Sequence, residues 1–120
     1  MKFTNVLGLA VAAAIIAPVA AGAAEPPAAF NACKACHKTE AGKNGIGPSL
    51  FGVVGRKAGS LEGFNYSPAM KNAGWVWDVA KLTQYIGDPK AVVPGNKMPF
   101  AGLKKPEDAK AVAEYLATLK

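Results

Sequence analysis

Histidine is nearly absent from this chain: one residue, His37, stands among 120, and cysteine occurs only at Cys33 and Cys36. A structural zinc site takes four Cys or His ligands, and three are all that the sequence offers, so that reading is excluded. A metal centre held by two histidines of the same chain is excluded with it. No strand pattern of the βαβ kind surrounds the cysteines, which a thioredoxin-like pair requires. A disulfide between them would close a loop too small to add much stability through chain entropy. There is no internal repeat and no nucleic-acid motif. Acids are scarce as well, with 8 against 14 bases and a net charge of +6. Excess positive charge favours encounter with an acidic surface, while lysines scattered along the sequence also fit a solvated basic surface.

What the chain does have is Cys33-Lys34-Ala35-Cys36-His37, the pattern that attaches a c-type haem covalently. On a helical turn, positions three apart share a face, so both thiols can reach the two vinyl groups on one porphyrin edge. His37 then lies under the ring plane, where an imidazole nitrogen binds iron. A haem-free thiol–disulfide protein is the alternative use of the same cysteines.

With no second histidine, methionine is the next usual partner for the iron. Beyond the N-terminal segment the chain has Met70 and Met98. Met70 falls in a predicted short helix and reads as core packing. Met98 lies between Lys97 and Pro99, in a stretch too stiff and irregular to need a flexible core filler, and is the expected ligand. A thioether is soft and neutral and raises the reduction potential relative to two imidazoles. With both axial positions filled, no site remains for oxygen, peroxide or substrate, which points to an electron carrier and not an enzyme. Peroxidase-like activity after Met98 dissociates is the alternative.

Residues 1–23 read as a secretory signal: Lys2 is the positive n-region, Val6 to Ala17 an apolar run, and Ala21-Gly22-Ala23 a small-x-small cleavage site. Cutting near Ala23 or Ala24 sends residues 24–120 to the periplasm. An uncleaved membrane anchor is the competing reading, since Val6 to Ala24 is almost free of polar residues. Removing Lys2 leaves 13 bases against 8 acids, or +5.

The remaining single domain is expected to be all-α. A short helix starts at Pro26-Pro27 and runs through Phe30 into Cys36. A glycine-rich loop follows from Lys38 to Tyr66, and a segment of that length usually packs on something functional. Ser67 caps a short helix opened by Pro68. Asp78 caps another, with Val79, Leu82, Tyr85 and Ile86 on one face, stopped at Gly87-Asp88-Pro89. A turn at Lys90 to Val92 precedes the Pro94-to-Pro99 stretch, and Pro106 opens the last helix with Glu107 and Asp108 against its positive end. Its apolar stripe is Ala109, Val112, Ala113, Leu116 and Leu119. A domain this small is expected to need the haem to bury Trp75, Trp77, Phe51, Phe64 and Phe100.

With Cys33 to His37 and Pro94-Gly95-Asn96-Lys97-Met98 in place, the chain closely resembles class I cytochrome c, in its mitochondrial and bacterial c2-like branch. Gly47-Pro48, Gly55-Arg56-Lys57, Gly63-Phe64-Asn65-Tyr66 and Met98-Pro99-Phe100-Ala101-Gly102-Leu103 follow in family order. The resemblance implies the small cytochrome c fold: short helices and glycine-rich loops around one covalent haem c, the first and last helices packed together. It implies that the Pro48 carbonyl accepts from His37 Nδ1, and that Arg56, Tyr66 and Trp77 reach a haem propionate. Tyr85 would donate to the Met98 sulfur, and Phe100 would cover the haem face. Met70 departs from the family, which often has asparagine there, and Pro26-Pro27 shorten the first helix; Ala28 or Ala29 is expected to meet Val112 and Tyr115. Lys34, Lys90, Lys97, Lys104 and Lys105 are expected to dock a monomer onto acidic redox proteins: a quinol–cytochrome c oxidoreductase, a terminal oxidase or a dehydrogenase.

Overall fold

The structure, a computed structural model, describes residues 24–120. The expected leader, residues 1–23, lies outside them. A single 3-10 turn, Ala28–Phe30, runs into helix α1 (Asn31–Lys34), followed by α2 (Pro68–Lys71), α3 (Val79–Gly87), α4 (Pro89–Val92) and α5 (Pro106–Leu116). No strand occurs among the described residues, only an isolated antiparallel bridge between Lys57 and Val76. Among them, too, no helix is long and apolar enough to cross a membrane.

The helix starts follow their local chemistry. Ser67 Oγ accepts from Met70 N at 3.1 Å, with Pro68 in the first turn of α2. Asp78 Oδ1 accepts from Lys81 N at 2.7 Å to open α3, a type of contact worth about 1 kcal/mol. Asp88 ends α3 and caps α4. Helix α5 begins at Pro106 with Glu107 and Asp108 in its first turn, as expected.

Helices α3 and α5 pack on each other. Leu82, Tyr85 and Ile86 on α3, and Ala109, Val112, Ala113, Tyr115 and Leu116 on α5, are buried together. The 3-10 turn packs on α5. Its anchor is Phe30, whose ring meets Tyr115 edge-on at 4.9 Å between centroids, adding about 0.5–1.5 kcal/mol beyond the area buried. The expected alanine contact is therefore led by an aromatic pair, with Ala29 partly buried beside it.

The first helix ends at Lys34, short of the expected Cys36. The Cys36 carbonyl instead accepts from Gly47 N at 2.7 Å, so it is claimed by the loop. That loop, 35–67, has no regular structure of its own, yet its polar backbone is paired. Leu50 N donates to Lys38 O at 2.8 Å, and Ser49 Oγ to Glu40 O at 2.6 Å. Gly52 N reaches Leu119 O at 2.6 Å, fastening the loop to the end of the chain, and Gly55 N reaches Trp77 O at 2.7 Å. Trp77 is buried, and Trp75, Phe64 and Phe100 are partly so. Phe51 departs from the expectation and is exposed: its neighbours Ser49 and Gly52 are both tied inward by hydrogen bonds, leaving its side chain outward.

Candidate haem-binding site

Between the loop and the two packed helices lies a cavity of about 520 Å³, within the usual range of cofactor sites. Cys33, Cys36 and His37 enter from the first turn. Pro48, Leu50, Val53 and Arg56 come from the loop, Tyr66 and Met70 from around α2, Trp77, Leu82, Tyr85 and Ile86 from α3 and the strand-like residues before it. Asn96, Met98 and Phe100 close it.

His37 is held in one tautomer. Its Nδ1 lies 2.8 Å from the Pro48 carbonyl, which can only accept. Nδ1 therefore carries the proton, and the lone pair of Nε2 is free to bind a metal. Burial lowers the imidazole's pKa below the ordinary 6.5, and the Pro48 carbonyl opposes that shift only in part, so the ring is neutral as a ligand must be. Gly47 lies against the ring: a Cβ there would stand 2.7 Å from Nδ1 and 2.9 Å from Nε2. Any side chain at that position would turn the imidazole. Cys33 and Cys36 are free thiols, both half-buried. Burial, and then the neighbouring Cys36, push Cys33 up to about 11, so its sulfur is protonated and uncharged at neutral pH.

Met98 is half-buried on the cavity wall, in segment 93–105, which lacks helix. Several contacts shape that segment. Met98 N donates to Asn96 Oδ1 at 2.7 Å, Leu103 N donates to Ile86 O at 2.9 Å, and Lys104 Nζ donates to Ala101 O at 2.8 Å. Gly102, at φ +111°, passes so close to Gly87 that a Cβ would stand 2.8 Å from its carbonyl carbon. No side chain fits there.

The other expected residues are all on the wall, with distinct partners. Arg56 Nη2 donates to Phe51 O at 2.6 Å, and Tyr66 Oη accepts from Leu61 N at 3.3 Å. Trp77 and Tyr85 pack with their rings tilted 53° and their centroids 5.2 Å apart. Among the described residues the Tyr85 hydroxyl makes no hydrogen bond, so the bond expected to the Met98 sulfur is not formed. Burial pushes that hydroxyl up to about 12. Met70 and Asn96 are among the wall residues outside the expected set. Met70, read as core, is buried but also faces the cavity; its α2 position could not reveal that. Asn96 had a signal in sequence: asparagine after Pro-Gly binds nearby backbone.

A flat, largely apolar group with one edge near two thiols and a metal in reach of an imidazole and a thioether fits these walls. That combination defines a monohaem c-type centre, with His37 and Met98 both positioned on its wall. Comparison with known proteins agrees. The family model for cytochrome c matches residues 23–120, and the chain belongs to that family. It is 62% identical over 97 residues to cytochrome c2 iso-2 of Magnetospirillum molischianum, covering 81% of this chain and 100% of that one. Against cytochrome c2 of Rhodoplanes tepidamans it is 59% identical over 97 residues, covering 80% and 99%. The solved structure of cytochrome cH from Methylobacterium extorquens superposes with a TM-score of 0.70 at 49% identity, over 75% of this chain and 91% of that one. The chain is thus a class I, c2-like cytochrome, with one covalent haem c at the Cys33–Cys36–His37 motif, and an electron carrier and not an enzyme.

Proposed function

We propose that this protein carries single electrons between acidic redox proteins, with His37 and Met98 as axial ligands and Cys33 and Cys36 as thioether anchors. The observation that carries the proposal is the 2.8 Å contact of His37 Nδ1 with the Pro48 carbonyl in a cavity that Met98 also lines. When bound, the haem supplies an iron that alternates between ferrous and ferric states one electron at a time. The residues around it keep that exchange simple. Pro48 holds His37 in the tautomer whose Nε2 is free. Leu50, Val53, Leu82, Ile86 and Phe100 exclude water, which favours the state of lower charge. Arg56, Tyr66 and Trp77 supply donors for a propionate, keeping a buried carboxylate paired. Tyr85 Oη, with no other partner among the described residues, is free to turn to the Met98 sulfur.

Lys34, Lys90, Lys97, Lys104 and Lys105 are all exposed. They steer the docking of a monomer onto a quinol-oxidising complex, a terminal oxidase or a dehydrogenase, all from the periplasm after removal of residues 1–23. Long-range attraction of this kind weakens as salt shortens the Debye length, from about 30 Å at 0.01 M to about 8 Å at 0.15 M. Stopped-flow oxidation by an acidic partner should therefore slow with ionic strength, and a rate indifferent to salt would reject the docking. A pyridine haemochrome assay on protein made alongside haem-attachment machinery tests the centre itself: a colourless chain would end the proposal. Mass spectrometry of the exported chain, beginning at Ala24 or Glu25, tests the leader.

A further inference from the structure

The Asn96 side chain makes more structural bonds than any other near Met98. Its Nδ2 donates to Pro89 O at 3.0 Å and to Val93 O at 3.0 Å, while its Oδ1 accepts from Met98 N at 2.7 Å. Pro89 O also accepts from Val93 N at 2.9 Å, and Val93 O from Asn96 N at 3.1 Å. One amide thus gathers the carbonyl of the first residue of α4, that of its C-cap Val93, and the backbone of Met98. Helix α4 has only four residues, too few to hold itself. Asn96 also faces the cavity and is half-buried, so bonds lost there are not fully replaced by water.

We infer that Asn96 is the positioning residue for the methionine ligand: by tying Met98 N to the end of α4 it holds the thioether at the iron against competing ligands. The remaining supports of the segment, Phe100 N to Met98 O, Leu103 N to Ile86 O and Lys104 Nζ to Ala101 O, lie at or after Met98 in the chain. Before it, between Val93 and Met98, the Asn96 amide carries the load together with one backbone bond. A backbone released there would let the sulfur swing without unfolding α3 or α5, which pack on each other through other residues.

The inference rests on Met98 as ligand, and the experiment separates the two claims. The sulfur-to-iron charge-transfer band of the ferric holoprotein reads the ligand itself, and it should vanish in Met98→Ala; a band that survives that substitution would reject the ligand and leave Asn96 with nothing to position. For Asn96, the readouts are the affinity of the ferric holoprotein for added imidazole and amide hydrogen exchange at Met98. In Asn96→Ala, imidazole affinity should rise about tenfold and Met98 exchange should quicken about tenfold, as expected for the loss of paired, half-buried bonds. In Asn96→Thr, where a hydroxyl can still accept from Met98 N but cannot donate twice, the rise should be about threefold. If Asn96→Ala does not accumulate as holoprotein, Asn96→Thr decides by the same two readouts. A fall in the unfolding midpoint with imidazole affinity within about twofold of the parent would make Asn96 a merely structural residue and overturn the inference.

Discussion

The attachment segment, 33–50, and the methionine segment, 89–103, face one cavity but are built differently. The first is stapled through backbone: Gly47 N to Cys36 O, Leu50 N to Lys38 O, and Pro48 O to the His37 ring. The second has a four-residue helix, a glycine crossing at Gly102 and Gly87, and a single amide at Asn96. A covalent group on the first side makes His37 hard to lose, since the ring follows Cys36 directly in the chain. On the second side no covalent link is available, and a few hydrogen bonds through Asn96 hold Met98. On the proposed ligand assignment, one ligand would be permanent and the other exchangeable, a consequence of where the covalent bonds fall.

The largest effect should come from removing those bonds. Cys33→Ala with Cys36→Ala leaves the 520 Å³ cavity without its filling, in a domain small enough for burial alone to be marginal. Far-ultraviolet circular dichroism should show most helix lost, and native helix content would break the comparison at its root. Next comes Gly102→Ala, which combines a φ of +111° with a clash on Gly87. Calorimetry of the holoprotein should show a loss of roughly 2–4 kcal/mol, from backbone strain and overpacking together, and the ferric charge-transfer band should weaken with it. Gly47→Ala presses on the His37 ring without the unfavourable φ. Its cost should be smaller, about 1–3 kcal/mol, with electron paramagnetic resonance reporting a turned imidazole. A costlier Gly47→Ala would reverse the order of the two segments.

The smallest effect concerns pH. Tyr85 is raised from an ordinary 10.0 to about 12 because burial disfavours its phenolate. The folded state therefore favours the neutral hydroxyl, a contribution complete below about 10 and lost as pH climbs toward about 12. Tyr85→Phe should flatten the stability curve across that window, and nuclear magnetic resonance of labelled tyrosine should find the Tyr85 ring titrating late. A Tyr85 that ionises at the ordinary 10.0 would mean that water reaches this wall.

Much of this was readable from residues. The Cys33-to-His37 motif carries its chemistry in its spacing, because covalent attachment needs only local order. Ser67, Asp78 and Pro106 marked helix starts, as capping is settled within a turn. Met98 stood out by elimination. Phe51 misled, because aromatic character says nothing of which way a loop residue points when its neighbours are tied inward. Phe30 was passed over for the alanines beside it, since the meeting of the 3-10 turn with Tyr115 depends on a contact spanning most of the chain. Met70 looked like ordinary core, and is, but its helix also forms the cavity wall.

By itself, the sequence determined the haem attachment, the pair of candidate axial ligands and the order of short helices, all of which follow from neighbours within a few positions. Only the tertiary structure decided that Gly47 and Gly102 must lack side chains, and that one asparagine gathers the Met98 segment. Those depend on atoms brought within 3 Å from distant or irregular stretches of chain, and no local propensity encodes such an approach.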